Sequence, residues 1–189
     1  INIDGFRVNI VLLDTRYFRS DLNRTLDVKP VYKKNLNPNS TVLGKKQWAW
    51  LEETINQKAD LVILSTSIQL LATSHRFEKW SNFPIEHLKI KKLLKNSKIP
   101  ILIISGDRHQ GAIYNEDSLF EITSSSLNKP LSPSKLTGPK EEDNKMIGDM
   151  YIDENFGLIT IDTKKMEYLV ELKDINGKEI KQKLISIKS

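Results

Sequence analysis

Cysteine is absent from all 189 residues. That excludes disulfides, thiolate metal sites and a cysteine nucleophile. Histidine is scarce, at three residues, too few for a multinuclear metal centre built on imidazole. No apolar run approaches the roughly 18 residues of a membrane-spanning helix. No arginine-rich run with stacking aromatics is present, so there is no nucleic-acid-binding motif. Internal repeats, a signal peptide and an initiator methionine are also missing. The chain opens on Ile1-Asn2-Ile3-Asp4-Gly5 and runs straight into a strand. It is therefore expected to be cut from a longer protein, with any targeting segment lost.

What is present reads as globular. The chain is 39% hydrophobic and 28% charged, with a net charge of +5, and is long enough for one domain with a sizeable core. The positive charge is mostly scattered lysine, densest at Lys89, Lys91, Lys92, Lys95 and Lys98. A solvated helix face explains that cluster, and it can also help to attract an anionic substrate.

Ile1–Ile3 and Phe6–Leu13 read as a hairpin around an Asp-Gly turn. Residues 20–43 are irregular, a candidate lid or rim. A helix is expected from Gly44 to about Gln57, with Trp48, Leu51, Glu52 and Ile55 on one face and both Trp48 and Trp50 in the core. The strand Leu61–Leu64 follows. His75 reads as a solvated loop residue. A second helix over Ile85–Asn96 is expected to turn Ile85, Leu88, Leu93 and Leu94 inward and His87 outward. Ile101–Ile104 is a strand buried on both faces. Ser118–Thr123 reads as a fifth strand, and residues 128–149 are expected to form a mobile loop insertion. Tyr151–Ile187 reads as an antiparallel meander. The fold class is α/β, with a mixed sheet that ends in that meander.

Three strands end in polar residues: Asp14 and Arg16, Ser67 and Gln69, Asp107 and His109. Ligands of α/β sheets bind beyond the carboxyl ends of strands. Gly106 is expected to provide the sharp bend that turns Asp107 and His109 toward one ion. Carboxylates and imidazole suit iron, manganese, zinc or calcium. Arg16 suits phosphate because its planar fork donates two parallel hydrogen bonds. Glu78 and Trp80, in a loop rich in large polar and aromatic residues, read as substrate rim. Against this stands a bland alternative: solvated loop residues and local salt bridges.

Several stretches carry a family resemblance. They are Leu12-Leu13-Asp14-Thr15-Arg16-Tyr17-Phe18-Arg19, Leu43-Gly44 with Gln47-Trp48 and Trp50-Leu51-Glu52, and Ser67-Ile68-Gln69. Glu78-Lys79-Trp80 with Phe83-Pro84, Ser105-Gly106-Asp107-Arg108-His109, Thr123-Ser124-Ser125 and Asn155-Phe156-Gly157-Leu158 follow in order. Together they resemble the second half of the alkaline phosphatase D group of calcineurin-like metallophosphoesterases. The resemblance implies half of a four-layer α/β/β/α sandwich, residues 1–189 forming the C-terminal part of one domain whose N-terminal half is absent. It implies a metal-dependent phosphoric ester hydrolase, phosphodiesterase or alkaline phosphatase D-like, that uses metal-activated water. Asp107 and His109 would be metal ligands and, with Asp14 and Arg16, the catalytic set. Arg16, Gln69, Glu78, Trp80 and Arg108 would bind substrate. The implied cofactors are divalent or trivalent metal ions, dinuclear or more: iron and calcium foremost, then manganese or zinc. The implied partners are a phosphate ester and the missing N-terminal half, without which these residues are expected to be inactive. A periplasmic, extracellular or membrane-associated location is implied as well. The alternative function is a non-catalytic binding or structural module.

Overall fold

A computed structural model describes residues 1–25, 31–131 and 142–187. β1 (Asn2–Ile3) and β2 (Phe6–Leu13) form the hairpin. Asp4 and Gly5 both take positive φ at its tip, as a tight two-residue hairpin requires. The stretch expected to be irregular contains a small antiparallel pair, β3 (Asn23–Thr25) and β4 (Val31–Lys33). Then come α1 (Gly44–Thr54), β5 (Leu61–Thr66), α2 (Pro84–Lys95) and β6 (Ile101–Ser105). β7 (Gly111–Glu116) and β8 (Leu119–Ser124) form a hairpin. β9 (Asn155–Asp162), β10 (Glu167–Asp174) and β11 (Glu179–Ser186) complete the chain as the antiparallel meander. Among the described residues no helix is long and apolar enough to cross a membrane.

Six strands make one mixed sheet in the order β1-β2-β5-β6-β8-β7. β2, β5, β6 and β8 run parallel, while β1 and β7 are antiparallel edges. The apolar runs of β5 and β6 are continuous because both faces are covered. One face, with Val62, Leu64, Ile101 and Ile103, packs on Trp48 and Leu51 of α1, on Ile55 just past its end, and on Ile90 and Leu94 of α2. The other, with Leu61, Ile63 and Leu102, packs on Tyr168 and Val170 of β10. Each such aliphatic side chain contributes about 1.5–3 kcal/mol by leaving water. The described residues thus form three layers: helices, mixed sheet, antiparallel sheet.

Two helix faces differ from expectation. Trp50 is 44% exposed, because Trp48 and Leu51 take the inward positions of α1. On α2 the buried residues are His87, Ile90 and Leu94, while Ile85 and Leu88 face solvent. His87 turns inward because its Nε2 bonds the Leu70 carbonyl at 2.7 Å, which satisfies both groups. Of the loop 128–149, residues 132–141 lie outside the described residues. The stretch after it is attached to the sheet. Asp143 accepts from the Thr73 and Ser74 amides at 2.7 and 3.0 Å, and Lys145 pairs with Glu116 at 2.7 Å.

Candidate functional site

The parallel register aligns four strand ends in one row. Leu13 is the partner of Thr66, Thr66 of Ser105, and Ser105 of Thr123. Every polar exit loop therefore leaves the sheet along the same edge, where α/β sheets place ligands. The Thr15 and Ser67 hydroxyls hydrogen-bond across the first two exits. Ser105 and Thr123 do so across the last two, at 2.8 Å.

Asp107 and His109 sit on the exit loop of β6 with φ of 71° and 53°. Non-glycine residues rarely take that left-handed region, and here two alternate positions take it. The sharp bend is therefore made at Asp107 and His109, not at Gly106, which has no positive φ. Between them, Arg108 turns inward and lays its guanidinium over the Phe77 ring at 4.4 Å. The alternation leaves Asp107 exposed and His109 half-buried.

The first exit is organised by its own backbone. The Asp14 carboxylate accepts from the Arg16 and Tyr17 amides, both at 2.9 Å. These bonds, Tyr17's first, hold it below the usual carboxylate range. The Gln47 side chain clamps Asp14 from α1: its Oε1 accepts from the Asp14 amide and its Nε2 donates to the Asp14 carbonyl, each at 2.8 Å. Arg16 reaches Glu78 at 2.5 Å, and Arg19 approaches the other Glu78 oxygen at 3.2 Å. Glu78 is the main reason that Arg16 is held even more firmly charged than usual, and the charge of Asp107 adds to it.

Gln69 and Trp80, named above as substrate contacts, lie in the core beneath the rim. Gln69 is fully enclosed and donates to Thr123 at 2.8 Å. Trp80 is fully enclosed too, its indole N–H bonded to Thr66 at 2.9 Å. His75, expected in solvent, is buried. Its Nδ1 accepts from the Phe77 amide at 3.2 Å, and burial, then Arg108 and Lys79, push its pKa down to about 2. Glu121 does not stand out in the sequence. Fully buried on β8, it accepts from the Leu70 and Leu71 amides at 2.9 and 2.5 Å and so pins the exit of β5. Burial pushes its carboxyl up. Its only sequence signal is an acid at an inward position of an apolar strand.

Asp107 and His109 are hard oxygen and borderline nitrogen donors on one bent loop, as iron, calcium, manganese or zinc would accept. Two donors do not hold an ion alone, and the described residues contain no group of three.

The family model for PhoD-like phosphatase matches residues 4–172. The chain belongs to the PhoD-like phosphatase family. A curated relative, alkaline phosphatase D of Bacillus subtilis (strain 168), is 28% identical over 136 residues. That match takes in 67% of this chain and 23% of the relative, so this PhoD-like chain spans about a quarter of the relative's length. Among solved structures, GAP50, the anchor in the inner membrane complex of Plasmodium, superposes with a TM-score of 0.59 at 15% identity. It covers 82% of this chain and 46% of that one, and at that identity it shows the fold alone.

Proposed function

We propose that the intact protein is a metal-dependent phosphoric ester hydrolase whose reaction centre forms along the row of strand exits. The observation that carries this is the loop of β6, where Asp107 and His109 share a left-handed conformation next to an arginine-rich exit. Such conformations persist where the surrounding structure enforces them, and they gather at functional sites. In this reading Asp107 and His109 are metal ligands and Arg16 contacts the phosphate. Asp14 shapes the loop that carries Arg16, and Glu78 aims its guanidinium. The bound ion would supply Lewis acidity and a nucleophile at neutral pH. The remaining ligands come from parts of the protein outside this chain, which also complete the α/β/β/α layering. Alone, these 189 residues are expected to hydrolyse phosphodiesters undetectably.

The test uses the full-length protein with bis-p-nitrophenyl phosphate and p-nitrophenyl phosphate. Asp107→Ala and His109→Ala should each lower metal content and reduce kcat/KM at least about a hundredfold. Unchanged metal content in either variant sinks the ligand assignment. A second reading, a non-catalytic binding module, draws on the shared fold of a solved protein described as an anchor, since fold does not imply function. Full-length protein that folds, carries no metal and hydrolyses neither ester would favour it.

A further inference from the structure

A cleft of about 400 Å³ opens between the exit loop of β2 and the β3–β4 pair. Its walls carry Arg16, Arg19, Arg24, Tyr32, Asp21 and Glu78. Glu78 is shared by two guanidinium groups, so this triad keeps one net positive charge. Within it, Nε and Nη1 of Arg19 are buried without a hydrogen-bond partner: the ion pair is close in distance but not aligned as a bond. Arg24 makes no ion pair among the described residues. It lies over the Tyr32 ring, 5.7 Å from the centroid. A guanidinium held near an aromatic ring by a cation–π contact still has N–H groups that can donate.

A phosphoryl group at the strand exits would meet Arg16 from one side. The cleft shares that arginine, and Arg19 and Arg24 line it as well. Its volume suits a small anionic group with a short connecting chain. Leu22 and Tyr32 complete the lining. A neutral or purely apolar group would leave the guanidinium donors unpaired, whereas an oxyanion satisfies several at once.

We propose that this cleft is a subsite for a second anionic group of the substrate, so that preferred substrates are phosphoesters bearing another phosphate or carboxylate one short linker from the scissile phosphorus. This rests on the phosphoester reading above. Arg16 bridges the two groups, and Arg24 with Tyr32 selects for the second charge.

The test compares two p-nitrophenyl phosphodiesters that differ only in a terminal phosphate on the non-chromogenic arm, with the full-length protein. The wild type should favour the doubly anionic ester by about tenfold in kcat/KM, the worth of roughly one charge-assisted contact. Arg24→Ala should bring the ratio close to one, mainly through KM, and Arg24→Lys should restore part of it. An unchanged ratio in Arg24→Ala overturns the subsite. If the wild type hydrolyses neither ester, the hydrolase reading fails and binding decides the subsite separately. Titration of inorganic triphosphate into chelator-treated protein should then show affinity severalfold weaker in Arg24→Ala. Equal affinity in the two proteins overturns the proposal.

Discussion

Glu78 illustrates how a single carboxylate can set a site. It is buried, and both of its oxygens face arginines. Removing it would leave Arg19, whose side chain is largely enclosed, without its counter-charge. Glu78→Ala is expected to cost about 2 kcal/mol, since an uncompensated charge keeps its desolvation penalty; urea unfolding would measure this, and a loss below ~0.5 kcal/mol would refute it. His87 makes a second residue-level prediction. Burial, then Lys91, pushes its pKa down to about 4 from 6.5. The folded state therefore refuses a proton that the unfolded chain takes up once the pH falls below 6.5. The stability present above 6.5 is lost as pH falls from there toward about 4, with a slope of up to about 1.4 kcal/mol per pH unit. Urea unfolding at pH 7, 6 and 5 should show this decline, to which buried His75 contributes a like amount, and His87→Gln, which can still donate to Leu70, should roughly halve the slope. At this scale Asp107, His109 and Arg16 were legible as polar residues just past buried strands. The burial of Gln69, His75, Trp80 and His87 was not, because local pattern does not reveal which polar side chains find partners inside.

The elements show where period and spacing suffice. β2, β5, β6 and the meander follow from apolar runs and alternation, and the two helices lie close to their expected limits. The face of α2 differs from its expected phase because a histidine at position 87 reads as polar and therefore outward. A bond to a loop carbonyl, invisible in the helix itself, reversed that. β7 is hard to read from the sequence because its short run begins at a glycine and is held by distant partners, β8 on one side and bridges to Met146 and Tyr151 on the other. That glycine is required by close approach: a Cβ at Gly111 would lie 2.5 Å from a Leu172 methyl and 3.0 Å from the Asn155 side-chain oxygen. Leu172 is fully buried and has little room to move. Gly111→Ala should therefore destabilise by about 1–3 kcal/mol, read as a lower denaturant midpoint with an unchanged slope. An unaffected midpoint would show that β10 shifts freely away from β7.

At the scale of the molecule, one sheet face is only partly covered. Phe6 and Val8 of β2 are buried against the meander, but Ile10 and Leu12 on the same face are 47% and 67% exposed. Adjacent apolar side chains of that size on a flat strand favour a partner. The proposed completion of the fold by the rest of the protein puts one there. Leu12→Asp should then lower the Tm of the full-length protein by several degrees while hardly affecting this chain produced alone; equal, small effects in both would mean the face stays open. The amino-acid sequence by itself determined the buried strands, the helices between them and the identity of the polar residues after each strand. These depend on hydrophobic period and turn chemistry, which act over a few residues. Only the tertiary structure decided that four strand ends align in one row, that Arg16, Arg19 and Arg24 share a cleft, and that Gln69 and Trp80 lie beneath the rim. Those outcomes depend on sheet register and on hydrogen-bond partners far apart in the chain, such as Arg16 and Glu78 at 62 positions, and no local pattern encodes that pairing.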